Sequence, residues 1–330
     1  MARVIQIKAI FQFIIPLIIS AGLCYILYSD MDWADIKAGL ATCRWEWIAL
    51  WAAVNIAAML FRGLRWRMQL RAIGITAPVR VMFWAIIGTY AVNLVFPRLG
   101  EVWRCGYVAR RQQAGFTRVF GSMLADRLAD TLSVLAITAA TVIVARGPMI
   151  KFIGETGITD KLGTLLGSPW AIGIYLIIAV AIATIFIFSS VSIVARIRGI
   201  MARAWEGFAS IFHMRRTWLW LLLTAGVWGG YYAGTLFTFH AFVSTADLLT
   251  ETGPMAVLVT FVFGSWAMAV PSNGGIGPWQ MAVMLALCGI YGMQQTPALT
   301  FATIVLALQT LLNILLGLYA FIRIALDRQP

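Results

Sequence analysis

An all-α protein of about six transmembrane helices and two re-entrant hairpins of broken helix is the architecture this sequence predicts. Three observations carry the prediction. Of 330 residues, 61% are hydrophobic and only 12% charged, with a mean hydropathy of +0.87, whereas soluble domains carry about 25% charged residues. The apolar stretches are long runs bounded by arginine clusters, not ten-residue alternating segments, which argues against a β-barrel. Two further apolar runs, Val81–Phe96 and Met255–Val270, are short for a roughly 30 Å hydrocarbon core and end in proline and glycine. No soluble segment is long enough to fold alone, so residues 1–330 are expected to form one integral membrane domain.

Arg3 and Lys8 precede a first span, Ala9–Tyr28, which places the N-terminus in the cytoplasm by the positive-inside rule. Its apolar part resembles a signal peptide, but no clear small-x-small cleavage site follows, so it is expected to be retained. The loop from Ser29 to Glu46 carries Asp30, Asp32, Asp35 and Glu46 with Trp33, Trp45 and Trp47. This suits the outer surface, with room for a short interfacial helix. The second span, Trp47–Phe61, is short unless it extends into Arg62-Gly63-Leu64-Arg65-Trp66-Arg67, whose arginines would then snorkel. The basic loop from Arg62 to Arg80 reads as cytoplasmic.

The next stretch sets up a conflict, because Val81–Phe96 would cross outward yet Arg98, Arg104, Arg110, Arg111 and Arg118 follow it against a single Glu101. Both flanks favour the cytoplasm. A hairpin over residues 81–113 that enters, breaks at Pro97 and Gly100 and returns resolves it. The next span, Val119–Ala145, contains Asp126, Arg127 and Asp130, which are costly in the bilayer unless paired. Asp126 and Asp130 share a face at i, i+4 and are expected to point toward the hairpin's arginines.

A glycine-bearing linker over residues 146–169 leads to a span at Trp170–Phe188 and a basic amphipathic segment from Ser189 to Arg216. Thr217–Ala241 crosses outward, ending near Asp247 and Glu251. The second hairpin, residues 254–291, breaks at Pro271, Gly274, Gly275 and Gly277, and a last span, Pro297–Ile322, returns inward to Arg323 and Arg328. Both termini are thus expected in the cytoplasm, and the net charge of +12 is assigned to membrane topology, not to nucleic-acid binding.

The two breaks share an apolar run, a proline, glycine and a tryptophan, Trp103 or Trp279, but enter from opposite faces. That is the pattern of an inverted repeat whose half-helices meet near the midplane. The first break offers Arg98, Glu101, Arg104 and Asn93; the second offers Ser272, Asn273, Gln280 and backbone groups. Guanidinium groups and helix N-termini bind phosphate, which suits a phospholipid head group or a polyprenyl phosphate. The plainer alternative is that Arg98 and Arg104 pair with Glu101, Asp126 and Asp130 to hold the hairpin.

Catalysis finds little support. His213 and His240 lack neighbours at metal-ligand spacing, Cys24, Cys43, Cys105 and Cys288 show no C-x-x-C pattern, and no P-loop, G-x-S-x-G or H-E-x-x-H motif occurs. No catalytic residue, metal or cofactor is expected, and the cysteines read as packing residues.

Arg65-Trp66, Asn93 with Pro97-Arg98-Leu99-Gly100-Glu101 and Arg104, Asp126-Arg127 with Asp130, and Pro271 with Gly274-Gly275-Ile276-Gly277, in this order, resemble the lysylphosphatidylglycerol synthase transmembrane-region family of flippase-like proteins. The resemblance covers nearly the whole chain. It implies a bacterial inner-membrane protein that moves an anionic or phosphate-bearing lipid between leaflets, as the family's best-understood members do with an aminoacylated phosphatidylglycerol. Two departures narrow this: Asn273 and Gln280 stand where the family often has glutamate, and the residues present hold no aminoacyl-transfer domain, so lysyl-lipid synthesis is not expected of them. Membrane lipids are the expected partners, and a homo-oligomer is compatible with the sequence. A non-transporting accessory subunit of a glycosyltransferase or other envelope enzyme is the alternative, with the segment from Ser189 to Arg216 as its docking surface.

Overall fold

Every regular element described is helical, as a chain with so much apolar backbone to satisfy in lipid requires. The computed structural model describes residues 33–148 and 216–327 apart from Pro271, with a few isolated positions between 150 and 214. The expected spans Ala9–Tyr28 and Trp170–Phe188, most of the linker and of the basic segment, His213, Pro271 and Arg328 lie outside the described residues. In order, the helices are α1 (Trp33–Ala41), α2 (Trp45–Ala72), α3 (Val79–Val95), α4 (Leu99–Arg111), α5 (Phe116–Val144), α6 (Thr217–Ala241), α7 (Val243–Thr252), α8 (Pro254–Ala267), α9 (Pro278–Met284), which continues as a π-helical turn over Leu285–Ile290, and α10 (Gln295–Leu326).

Among the described residues α2, α5 and α10 are long and apolar enough to cross a membrane, and the bent pair α7–α8, turned by 116°, makes a fourth candidate if counted as one span. Of the six spans expected over the whole chain, two lie outside the described residues, and α2, α5 and α10 coincide with three of the four that lie within them. α6 has the length, 25 residues, but its glycines and paired tyrosines dilute its hydropathy. Those glycines have a packing use. A Cβ on Gly226 would lie 2.9 Å from the Phe61 ring, one on Gly230 3.1 Å from the Ala58 Cβ, and one on Gly234 3.0 Å from the Asn55 side chain. Small residues at every fourth position let α6 lie close along α2.

The second span corrects the expectation most. α2 does extend through the arginines, for 28 residues to Ala72, but Arg62 and Arg65 do not snorkel. Both are buried. Arg62 lies ten residues before the helix end, roughly 15 Å along the axis, and its charge is met inside the bundle.

The helix ends sort by charge. Where α2 ends and α3 begins, Arg67 Nε donates to the Ala77 carbonyl at 2.6 Å, Arg118 reaches the Ile73 carbonyl at 2.5 Å, and Arg80 and Arg111 both approach Asp327 at the end of α10. This is a basic pole. At the other end of α2 the Arg44 N–H donates to the Ala241 carbonyl at 2.9 Å, and Ile48, Leu248, Val257, Leu287 and Phe301 share one core cluster. Asp35, Glu46, Asp247 and Glu251 flank this pole. A second cluster around Trp66, Met82, Ile86, Cys105 and Val119 fills the basic half. Cys43 and Cys105 are buried packing residues, as expected.

Candidate functional site

Two hairpins and one buried charge network make up the site. Phe96, before Pro97, is pushed to extended backbone, with φ −125° and ψ 98°, as a residue preceding proline should be. Arg98 then takes φ +66°, a left-handed conformation that costs a non-glycine residue about 1–2 kcal/mol. The chain reverses there, and α4 runs back along α3. Gly100 permits the close approach, because a Cβ at this position would collide with the Thr89 carbonyl oxygen and the Asn93 side chain. Instead the Gly100 N–H donates to Asn93 Oδ1 at 2.8 Å, so Asn93 satisfies one of the orphan donors at the start of α4. Asn93 also donates to Glu101 at 3.3 Å. It orders the turn.

The second hairpin is built alike with different residues. Gly274, Gly275 and Gly277 have φ of +64°, +91° and +89°, Pro278 opens α9, and Gln280 Oε1 accepts the Gly277 N–H at 3.1 Å. Gln280 also reaches Thr303 at 3.4 Å and is buried, so it fixes the turn against α10. Ser272 makes a long contact, 3.5 Å, to the Val270 carbonyl. In each hairpin a tryptophan of the returning helix lies on a glycine of the entering helix: Trp103 on Gly88, and Trp279 on Gly264.

The tips of the hairpins meet. Arg98 Nη2 donates to the Met268 and Ala269 carbonyls at 3.1 and 2.5 Å, just past the end of α8, and Asn273 Nδ2 donates to the Leu94 and Val95 carbonyls at 3.3 and 3.5 Å, at the end of α3. Each tip thus supplies donors to the orphan carbonyls of the other hairpin's first helix, and a cation at a helix C-terminus suits its dipole. Arg98 is exposed.

The charge network lies behind the first tip. Asp126 on α5 is fully buried and accepts from Arg65 Nε and Nη2 at 3.0 and 2.6 Å and from Arg104 Nη2 at 3.2 Å. Asp130, one turn on, accepts from Arg65 at 2.6 Å and pairs with Arg62. Arg127 pairs with Glu101 at 2.7 Å. Arg62 Nη1 donates to the Tyr90 hydroxyl at 3.0 Å, which lies 2.7 Å from that of Tyr231 on α6. Arg104 also stacks over Trp66, 4.4 Å from the ring centroid. Four guanidinium groups therefore face three carboxylates, one positive charge in surplus. Among the described residues Arg65 Nη1, Arg104 Nε and Nη1, and Arg127 Nε are buried without hydrogen-bond partners.

The expected residues thus separate into two sets. Arg104, Glu101, Asp126, Arg127 and Asp130 come together, while Arg98 stands apart at the tip with Ser272 and Asn273. Arg98 and Arg104 do not form one clamp: the second is sealed in the core. Arg62, Arg65, Tyr90 and Tyr231 belong to the network although sequence reading assigned them no part in it. Their signal was arginines three apart in an apolar helical frame, which fits burial as well as snorkelling. His240 stacks on Trp47, with centroids 4.5 Å apart, and no cluster of three potential metal ligands occurs among the described residues.

Comparison with curated proteins and with solved structures returns no match. A family model for the lysylphosphatidylglycerol synthase TM region matches residues 13–317 of the 330, and the chain belongs to that family.

Proposed function

We propose that this membrane protein moves an anionic or phosphate-bearing lipid between the leaflets of the bacterial inner membrane, its head group passing the meeting point of the two hairpins and its acyl chains staying in lipid. The observation that carries this reading is the pair of reciprocal contacts at the tips, Arg98 to the end of α8 and Asn273 to the end of α3. Both ends of the first hairpin lie at the basic pole, where Arg80 and Arg111 share Asp327. Both ends of the second lie at the acidic pole, beside the α7–α8 bend. Two re-entrant elements related as an inverted repeat and closing on each other from opposite faces form the two gates of an alternating-access pathway. The positive-inside rule puts the basic pole in the cytoplasm.

Arg98 is the head-group contact in this scheme. It is cationic, exposed and held in a strained backbone by bonds to carbonyls that a phosphate would replace with stronger, charge-assisted ones. Arg104, Glu101, Asp126, Arg127 and Asp130 are positioning residues that hold α4 and give the region its positive field.

Leaflet exchange of fluorescent anionic, zwitterionic and polyprenyl-phosphate lipids in liposomes of the pure protein tests this. Exchange of one head-group class, at least tenfold slower in Arg98→Ala and largely restored in Arg98→Lys, is expected. No exchange, with or without an imposed proton gradient, overturns transport in favour of an accessory subunit for an envelope enzyme.

A further inference from the structure

The basic pole holds a second feature, remote from the hairpin tips. The start of α3 and the end of α10 enclose a cavity of about 140 Å³ lined by Arg80, Trp84, Arg323, Leu326 and Asp327. Its charges do not balance. Arg80 Nη2 lies 3.0 Å from the Asp327 carboxylate, and Arg111 approaches the same carboxylate at 3.9 Å while donating to the Asp327 carbonyl at 2.6 Å. Arg323 has no ion-pair partner among the described residues. Two arginines therefore share one carboxylate while Arg323 lines the same cavity unpaired, and the Arg80 side chain keeps 53% of its surface exposed.

The same cavity ends a long apolar stripe. Leu311, Leu315, Leu318, Ile322 and Leu326 are all exposed, from 48% to 70%, at steps of four, three, four and four residues on one face of α10. The stripe is roughly 22 Å long at 1.5 Å per residue, more than the ~15 Å that one leaflet contributes to the hydrocarbon core. Trp84 meets Tyr319 edge-on at 5.6 Å beside it, in the manner of interfacial aromatics.

We infer that this is a binding site for an anionic phospholipid, with the phosphate between Arg80 and Arg323 and an acyl chain along Leu311–Leu326. A free anion would need only the arginines. The stripe running directly into them is what selects a lipid, and basic recesses between helices on the cytoplasmic side suit such head groups. Because Gly317 of α10 packs on Ala91 of α3, a lipid here braces the entrance of the first hairpin. The site does not depend on transport.

Native mass spectrometry of the pure full-length chain tests it, with phosphatidylglycerol and phosphatidylcholine of identical chains as probes. The wild type should retain phosphatidylglycerol preferentially. Arg80→Gln and Arg323→Gln should each weaken that binding about fivefold, and Asp327→Asn should tighten it, all with unaltered thermal midpoints. Equal phosphatidylglycerol binding by the wild type and both arginine variants overturns the site. Displacement of the lipid by millimolar inorganic phosphate alone overturns its assignment to a lipid.

Discussion

Asp126 is the residue on which the interior depends. Its carboxylate is fully buried and takes hydrogen bonds from two arginines, Arg65 and Arg104, with Arg62 3.9 Å away. Removing one charge from a buried set leaves the others uncompensated in low dielectric, which costs about 3–5 kcal/mol. Asp126→Asn keeps the shape and should lower stability by that amount, read as a fall in the thermal midpoint in detergent. Asp130→Asn should cost less, because Asp130 keeps 13% of its side chain exposed and water can reach its partners. Equal losses would mean that the network is not graded by burial. The sequence marked Asp126 and Asp130 as needing partners, since charges in an apolar run must be paired. It did not mark Arg62 and Arg65 as those partners, because snorkelling and burial differ only in how far α2 continues beyond them, and nothing local to those arginines sets that length.

At the scale of elements, each hairpin is fixed by a glycine that lets its two helices touch. Gly100 and Gly106 lie on the same helix α4 with opposite surroundings. A Cβ at Gly100 would strike the Thr89 carbonyl, backbone that cannot swing aside, whereas one at Gly106 meets nothing within 4 Å. Gly100→Ala should therefore cost about 1–3 kcal/mol, as overpacking does, while Gly106→Ala should be neutral or stabilising by up to about 1 kcal/mol. Thermal midpoints of the two variants decide this, and similar shifts would show that α4 is not held against α3 at its start. The helix breaks themselves were legible: Pro97 with its neighbours and the glycines after Pro271 are backbone chemistry written into single residues. The close run of α6 along α2 has a local mark that was not read from the sequence, Gly226, Gly230 and Gly234 at four-residue spacing. What Arg98 and Asn273 bind was not legible, since each reaches a carbonyl more than 170 positions away, and only the assembled bundle brings those carbonyls to the tips.

The molecule as a whole has a basic pole and an acidic pole, with one hairpin rooted at each and their tips in contact between. A rigid scaffold would leave that contact closed, whereas a pathway that opens to one face at a time requires the tips to part. Linking them should then stop exchange. With the native cysteines replaced, Leu94→Cys and Asn273→Cys place two thiols where the Asn273 side chain now reaches the Leu94 carbonyl at 3.3 Å. A short, reducible bifunctional thiol reagent should lower lipid exchange by at least tenfold relative to the same double variant untreated, and reductant should restore it. Each single-cysteine variant, given the same reagent, should keep its rate, which separates bridging from simple modification. Undiminished exchange in the bridged protein would mean that the lipid passes without the tips separating, and the route would have to run over the outside of the hairpins. The charge network argues for the first outcome, since Arg62, Arg65 and Arg104 tie α2, α4 and α5 into one body, while the tips are joined by the hydrogen bonds of Arg98 and Asn273.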